Sequence, residues 1–297
     1  METFIVGMSI VVLVVVWALL RSAKRHSGEP SEADRAAERE RDSAPLVAAE
    51  QAARRAICLA AVVMRSQYEL VMKIPEERSD LEPEAIDTLL GEHRRFTTEL
   101  NKWLRDEGLW EHLSAKERGL MSKEAGSWTR DDCADASWFL ESGGVIAWSV
   151  GLLDAVPAYD QSFHETAFIR AARLHKPVSE TLKRAWLRSE EDIRGARGAA
   201  ELWMWRARTT ILMREPDKYK PPADLTFDQV ISMTVEGAEK EGLFMAAGGD
   251  FPAFGTAYRD LSHEQWLEMH GIAYERLRGL NWVCGYEPDW DKVPCDT

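Results

Sequence analysis

Apolar and polar positions alternate in two different ways along this chain. Phe4 to Leu20 is one unbroken apolar run, relieved only by Gly7 and Ser9, and Arg21, Lys24, Arg25 and His26 follow at once. From Leu46 onward the apolar residues recur every three or four positions, the period of helices that bury one face. The first pattern predicts a membrane span. Its seventeen residues reach roughly 25 Å as a helix, near the short end for a hydrocarbon core of about 30 Å. Trp17 suits the interface. A cleaved signal peptide is the rival. However, Met1-Glu2-Thr3 carries an acid and no base, and no clear small-x-small site closes the run. The basic flank predicts a single-pass cell-membrane protein with Met1 outside and the C-terminal domain cytoplasmic.

Residues 27 to 45 are rich in Glu, Asp, Arg, Ser and Ala, which predicts a solvated tether. Beyond it, Ala53, Ile57, Ala60, Met64, Tyr68 and Val71 form the stripe of a first helix that Pro75 stops. Pro83 opens a second, with Ile86, Leu90, His93, Leu100 and Trp103 on one side and Gly108 at its end. Ser114-x-x-Glu117, Thr226-x-x-Gln229 and Ser262-x-x-Gln265 read as capping boxes, and Thr129 to Asp132 starts a helix carrying Trp138, Glu141, Val145 and Trp148. A further helix is expected over 162–175. A long one follows Pro177 and is broken or kinked at Gly195 and Gly198. The last helix buries Trp266, Met269, Ile272, Ala273, Leu277, Leu280 and Val283. No alternating strand and no fixed repeat stands out. The expected class is all-α: a single multi-helix domain over 46–297 behind a transmembrane anchor at 1–26 and a tether at 27–45.

The net charge of −13, with bases scattered among acids, argues against a nucleic-acid surface. Twelve tryptophans predict a substantial aromatic core. Cys58, Cys133, Cys284 and Cys295 lack CxxC spacing, and a cytoplasmic setting favours free thiols.

The chain ends Tyr274-Glu275-Arg276-Leu277-Arg278-Gly279-Leu280-Asn281-Trp282, then Trp290-Asp291, then Asp296-Thr297. This resembles the ending of a bacterial family known as domain of unknown function (DUF) family 4272. Arg54-Arg55-Ala56, Trp138-x-x-Glu141 with Ala147-Trp148-Ser149-x-Gly151, and Asp250-Phe251-Pro252-x-Phe254-Gly255 resemble other parts of it, over roughly residues 50–297. Gly279 stands where the family usually has Ala, and 194–208 fits its pattern poorly. The resemblance implies a fold and a set of positions but no reaction.

Three groups of residues carry candidate chemistry. Glu275, Arg276, Asn281, Trp282, Trp290, Asp291 and Asp296 would form a polar ligand pocket. In the competing reading the tail folds back, Trp290 plugs the core, and Asp291 or Asp296 pairs with Arg276. Glu275 and Arg278 are spaced to pair on the helix surface. Glu141 points at the core, where a carboxylate needs a partner such as Arg276 or Arg55, or else becomes a general acid or base. Glu141, Glu275 and Asp291 together would serve a carboxylate-dependent hydrolase if they shared a cleft. His263 and His270 are two turns apart, too far to ligate one metal unaided, so no metal is expected. No phosphate loop, dinucleotide fingerprint or nucleophile elbow occurs, and no cofactor is expected. The leading expectation is a protein-interaction or scaffold module with a protein partner at the membrane, reached through the Asp250–Gly255 loop and its Phe and Pro side chains. A polar small-ligand binder or hydrolase is the alternative. The acidic charge also admits a toxin-antagonist role toward a basic partner.

Overall fold

A computed structural model describes residues 32, 41–73, 82–215, 219, 221 and 225–295. The apolar run 4–20, its basic flank, most of the tether and Asp296 lie outside these residues. Among the described residues, no helix is long and apolar enough to cross a membrane. The class is helical: α1 (Ala49–Val71), α2 (Pro83–Asp106), α3 (Ala115–Met121), α4 (Arg130–Ser149), α5 (Glu165–Ala172), α6 (Val178–Leu182), α7 (Glu190–Met213), α8 (Phe227–Lys240) and α9 (His263–Val283). One two-residue hairpin, β1 (Pro252–Ala253) paired antiparallel with β2 (Thr256–Ala257), sits where no strand was expected.

The expected single domain divides into two compact units. The larger takes Ala44–Ala196 and Glu275–Pro294, and the smaller takes Arg197–Tyr274 and the chain end from Cys295. In the larger unit α1 is the central helix, packed mainly against α4 and also against α2, α3, α5 and α6. Its spacing predicted one buried face. Instead every residue from Ala52 to Val63 except Arg54 is buried, while Tyr68 and Val71 on the expected stripe are exposed. The run of Ala, Cys and Val around the whole circumference is what allows neighbours on all sides.

The expected capping boxes form, and Thr129 with Asp132 adds one that was not foreseen. The Ser114 and Thr129 hydroxyls accept from the Glu117 and Asp132 amides, and the acids accept in return from the cap amides. Thr226 with Gln229 and Ser262 with Gln265 do the same.

The stretch after Pro177 departs from expectation. α7 runs unbroken through Gly195 and Gly198, and the break lies earlier, between Leu182 and Glu190. An extended segment there is pinned to the end of α4. The Trp186 and Arg188 amides donate to Val150 O and Ser149 O at 3.0 and 2.9 Å, and the Arg188 guanidinium donates to Trp148, Leu153 and Asp154 carbonyls. The Trp186 indole packs against Gly151, at φ +69°, so closely that a Cβ there would fall 2.4 Å from the indole nitrogen. Tertiary hydrogen bonds therefore decide the break, and two glycines within an otherwise bonded helix do not. The helix expected over 162–175 shortens to α5 and ends with Arg173 at φ 55°.

The smaller unit closes around Trp203, whose ring lies 5.0 Å from Phe251 and 5.7 Å from Phe244. In the Asp250–Gly255 loop, expected to present Phe and Pro to a partner, Asp250 and Phe251 are fully buried, whereas Pro252 and Phe254 are half-buried and Gly255 is exposed. Asp250 accepts from Arg206 Nε and Nη2, both at 2.7 Å, from its neighbour's amide at Phe251 and from the Arg259 amide. Pairing with Arg206 takes the carboxylate, and Phe251 with it, into the core.

Candidate functional site

A polar cavity of about 370 Å³ lies in the larger unit, where the start of α1, the turn before α3 and the C-terminal tail converge. Gln51 and Arg55 supply one wall, Glu111, His112, Ser114 and Arg118 another, and Trp282, Pro288, Asp289 and Trp290 the third. Its frame is an ion pair. Arg55 meets Glu117 through Nη1 and Nη2, with Nη1 at 2.9 Å from Oε2, and also donates to His112 O at 3.2 Å. The same Oε2 accepts from the Ser114 amide at 2.9 Å. The Glu that completes the capping box of α3 thus also anchors α1.

Trp290 is the centre of this corner. The Arg55 guanidinium lies 4.2 Å from its ring centroid and that of Arg278 lies at 4.4 Å. Each cation is held by its own carboxylate, Glu117 and Glu275 respectively. Trp290 Nε1 and Arg55 Nε are buried and have no hydrogen-bond partner among the described residues. Both are donors. Arg118 donates to Leu113 O and has no carboxylate partner among the described residues. Burial, together with the charges of Arg54 and Arg55, lowers the His112 imidazole, so it is neutral at neutral pH. The cavity is therefore rich in donors, with the acids Glu111 and Asp289 on its walls.

Of the residues singled out in the sequence, Trp282 and Trp290 line this cavity, with ring centroids 6.1 Å apart and edge to face. Glu141, Glu275, Arg276, Asn281 and Asp291 are not among its lining residues. Arg276 is fully buried and pairs with Glu141 rather than with Asp291, at 2.8 Å. Its remaining nitrogens donate to the Pro157, Ala158 and Gln161 carbonyls, and Glu141 Oε1 accepts from the Phe163 amide at 2.9 Å. Arg55, the other partner foreseen for Glu141, belongs to Glu117. Asn281 ties the tail down by donating to Pro294 O at 2.7 Å. Asp291 accepts from the Lys116 amide at 3.2 Å.

Glu275 and Arg278 do pair, at 3.3 Å, but in the interior and not on the surface. Glu275 is 6% exposed, burial raises its carboxyl above the ordinary range, and its Oε2 has no partner among the described residues. Glu141, Glu275 and Asp291 are thus held by three different partners. Asp296 lies outside the described residues.

Gln51, Glu111, His112, Arg118 and Asp289 were not foreseen as site residues. Ser114-x-x-Glu117 marked the cap, but its spacing carries no sign that Glu117 also reaches a helix 62 positions earlier.

His263 stacks on Trp266 at 5.8 Å, and His270 lies tilted against the same ring at 5.4 Å. His270 also lines a second cavity of about 390 Å³ in the smaller unit, with Met204, Ile211 and Tyr274. Among the described residues no group of three or more His, Cys, Asp or Glu is arranged to hold a metal ion. All four cysteines are buried, and burial pushes the Cys58 thiol up to about 12, which leaves it protonated at neutral pH.

No curated protein and no solved structure matches this chain. One family model does match, over residues 23–230. That range holds Arg54-Arg55-Ala56, the Glu111–Arg118 wall and Trp138-x-x-Glu141, whereas the C-terminal stretch from Tyr274 to Thr297 lies beyond it. Covering well over half of the chain, the match makes this protein a member of the family described as Domain of unknown function (DUF4272).

Proposed function

We propose that the protein is a polar small-ligand-binding module, with residues 4–20 holding it at the cytoplasmic face of the cell membrane. The observation that carries the binding reading is the cavity beside Trp290, where two buried donors, Trp290 Nε1 and Arg55 Nε, lack partners and Arg118 has no carboxylate among the described residues. A buried donor left without an acceptor is costly, and a ligand oxygen supplies the acceptor. The ligand class is a small molecule bearing a carboxylate or phosphate beside a flat apolar portion that rests on Trp282 and Pro288. Glu141, Glu275 and Asp291 are engaged by Arg276, Arg278 and the Lys116 amide, so the binding half of that alternative is the one proposed here.

Thermal unfolding of the detergent-solubilised full chain against inorganic phosphate and a series of aliphatic and aromatic carboxylates tests this. A ligand at a hundred times its Kd adds about 2.7 kcal/mol, a shift of several degrees. The shift should vanish in Arg118→Ala. No shift with any compound, or an undiminished shift in Arg118→Ala, refutes the reading.

A protein partner at the membrane is the second reading. It rests on exposed apolar side chains of the smaller unit, above all Met245 at 85% exposure, with Met233, Leu243 and Leu267. A photo-crosslinker placed at position 245 in cells should trap one dominant membrane-associated partner, and an unadducted chain would end this reading.

A further inference from the structure

The cavity beside Trp290 is lined by charges of both signs, and they divide into those already matched and those not. Arg55 is matched by Glu117. Asp289 is matched as well: Lys292 Nζ stands 2.9 Å from its Oδ2, and its Oδ1 accepts from the Asp291 amide at 3.1 Å. The His112 imidazole, held below its usual range by burial and by the charges of Arg54 and Arg55, is neutral at neutral pH and adds no charge. Two lining charges remain. Arg118 donates to the Leu113 carbonyl and faces no carboxylate among the described residues. Glu111 makes no hydrogen bond and no ion pair among them. Both can be reached from solvent, since Glu111 is exposed and Arg118 half-buried.

Local structure keeps these two apart. Glu111 lies in the 3-10 turn Trp110–His112, Ser114 then caps α3, and Arg118 sits in the last turn of α3 with its guanidinium held by the Leu113 carbonyl. One cavity wall therefore offers an unmatched cation and an unmatched anion that do not pair with each other. In water alone each is simply solvated, and neither contributes much to stability. A ligand feels them differently. A guest with negative charge only gains from Arg118 and is repelled by Glu111 on the same wall, and a phosphate, with more charge, is repelled more strongly. A guest with an ammonium as well as a carboxylate gains from both. At about 370 Å³ the cavity is near the small end of ligand pockets, which suits an amino acid better than a nucleotide.

We infer that the ligand is a small zwitterion. Its carboxylate meets Arg118, its ammonium meets Glu111, and its flat apolar portion rests on Trp282 and Pro288. This deepens the binding reading above and rests on it. Glu111 is then the residue that tells an amino acid from a plain organic acid.

Isothermal titration calorimetry of the detergent-solubilised full chain with matched compounds tests this. Phenylalanine is set against phenylpropionate, and para-(aminomethyl)benzoate against para-methylbenzoate; the two pairs differ in the reach from carboxylate to ammonium. In at least one pair the zwitterion should bind about tenfold more tightly than the acid without its ammonium. Glu111→Gln should abolish that advantage and leave the plain acid bound as tightly as before or more tightly, because a repulsion is removed. Arg118→Ala should weaken both members of the pair. An unchanged unfolding temperature of unliganded Glu111→Gln checks that the fold is kept. The inference is overturned if the plain acids bind as tightly as the zwitterions in both pairs, or if the advantage survives in Glu111→Gln; the binding reading then still stands. It is also overturned, alone, if none of the four compounds binds while inorganic phosphate or another carboxylate stabilises the chain. If no compound of any kind binds, both readings fall together.

Discussion

Arg276 and Glu141 stand 135 positions apart, and a single contact of 2.8 Å joins them in the interior of the larger unit. The pair holds more than itself. Through Arg276 it gathers the carbonyls of 157–161, and through Glu141 it takes the amide of Phe163, so one salt bridge fastens the whole connection from α4 to α5. Glu141→Gln leaves a buried guanidinium without its counter-charge and should cost about 3–5 kcal/mol in urea unfolding. The double change Glu141→Leu with Arg276→Leu should cost less than the sum of the single changes, and a double-mutant cycle measures the difference. Additive single changes would mean the two residues act independently.

Gly279 looks like a mild defect in a helix, worth about 1 kcal/mol against alanine. The packing reverses that view. A Cβ at 279 would lie 2.6 Å from Val145 Cγ2 and 2.7 Å from the Ser142 carbonyl oxygen, so α9 approaches α4 through this hydrogen-only face. Gly279→Ala should therefore destabilise the protein by about 1–3 kcal/mol despite its gain in helix propensity. Chemical denaturation reads the sign directly, and a stabilised variant would show that α4 yields easily.

Two buried carboxyls respond to pH in opposite directions. For Glu69, burial alone would raise the pKa, but the hydrogen bonds from His93 and Arg65, the Arg65 charge and the Gly126 amide outweigh it and hold the carboxyl at about 2, against an ordinary 4.5. Its contribution, at most about 3 kcal/mol, is complete above pH 5 and fades as pH falls toward 2, because the unfolded chain takes up the proton first. Glu275 is raised by burial, so its contribution is present at low pH and lost as pH rises through its folded value. Urea midpoints from pH 2 to 8 should show a smaller acid-side rise in Glu69→Gln. In Glu275→Gln the loss toward neutral pH should be smaller than in the wild type. Parallel curves for all three proteins would contradict both assignments.

In the smaller unit, Asp250 carries the weight that Glu141 carries in the larger. Four donors converge on its carboxylate, and Arg206 beside it leans on the Tyr258 ring at 4.5 Å. The Arg206 pair keeps the acid ionised and below its usual range even though burial opposes this. Asp250→Asn keeps the shape but loses the charge, and should cost about 3 kcal/mol or more. Limited proteolysis should then cut between Gly242 and Leu261 first. Unchanged resistance there would show that Phe251 and Trp203 hold the loop without the ion pair.

The helical class, the capped starts of α3, α4, α8 and α9 and the buried stripe of α9 were legible from sequence, because each is written within a few residues. A hydroxyl and an acid three apart satisfy the first amides of a helix wherever that helix lies, and apolar residues three and four apart share a face by geometry alone. The membrane-span reading of 4–20 is of the same local kind. The tertiary structure decided what each face meets. It paired Arg276 with Glu141 and Arg55 with Glu117, turned Phe251 inward, broke the chain at Trp186 instead of at Gly195 and Gly198, and left the corner beside Trp290 rich in donors. The reason is distance along the chain. A buried charge states only that it needs a partner, and here the partners lie 44, 62 and 135 positions away, beyond anything that periodicity or capping can register.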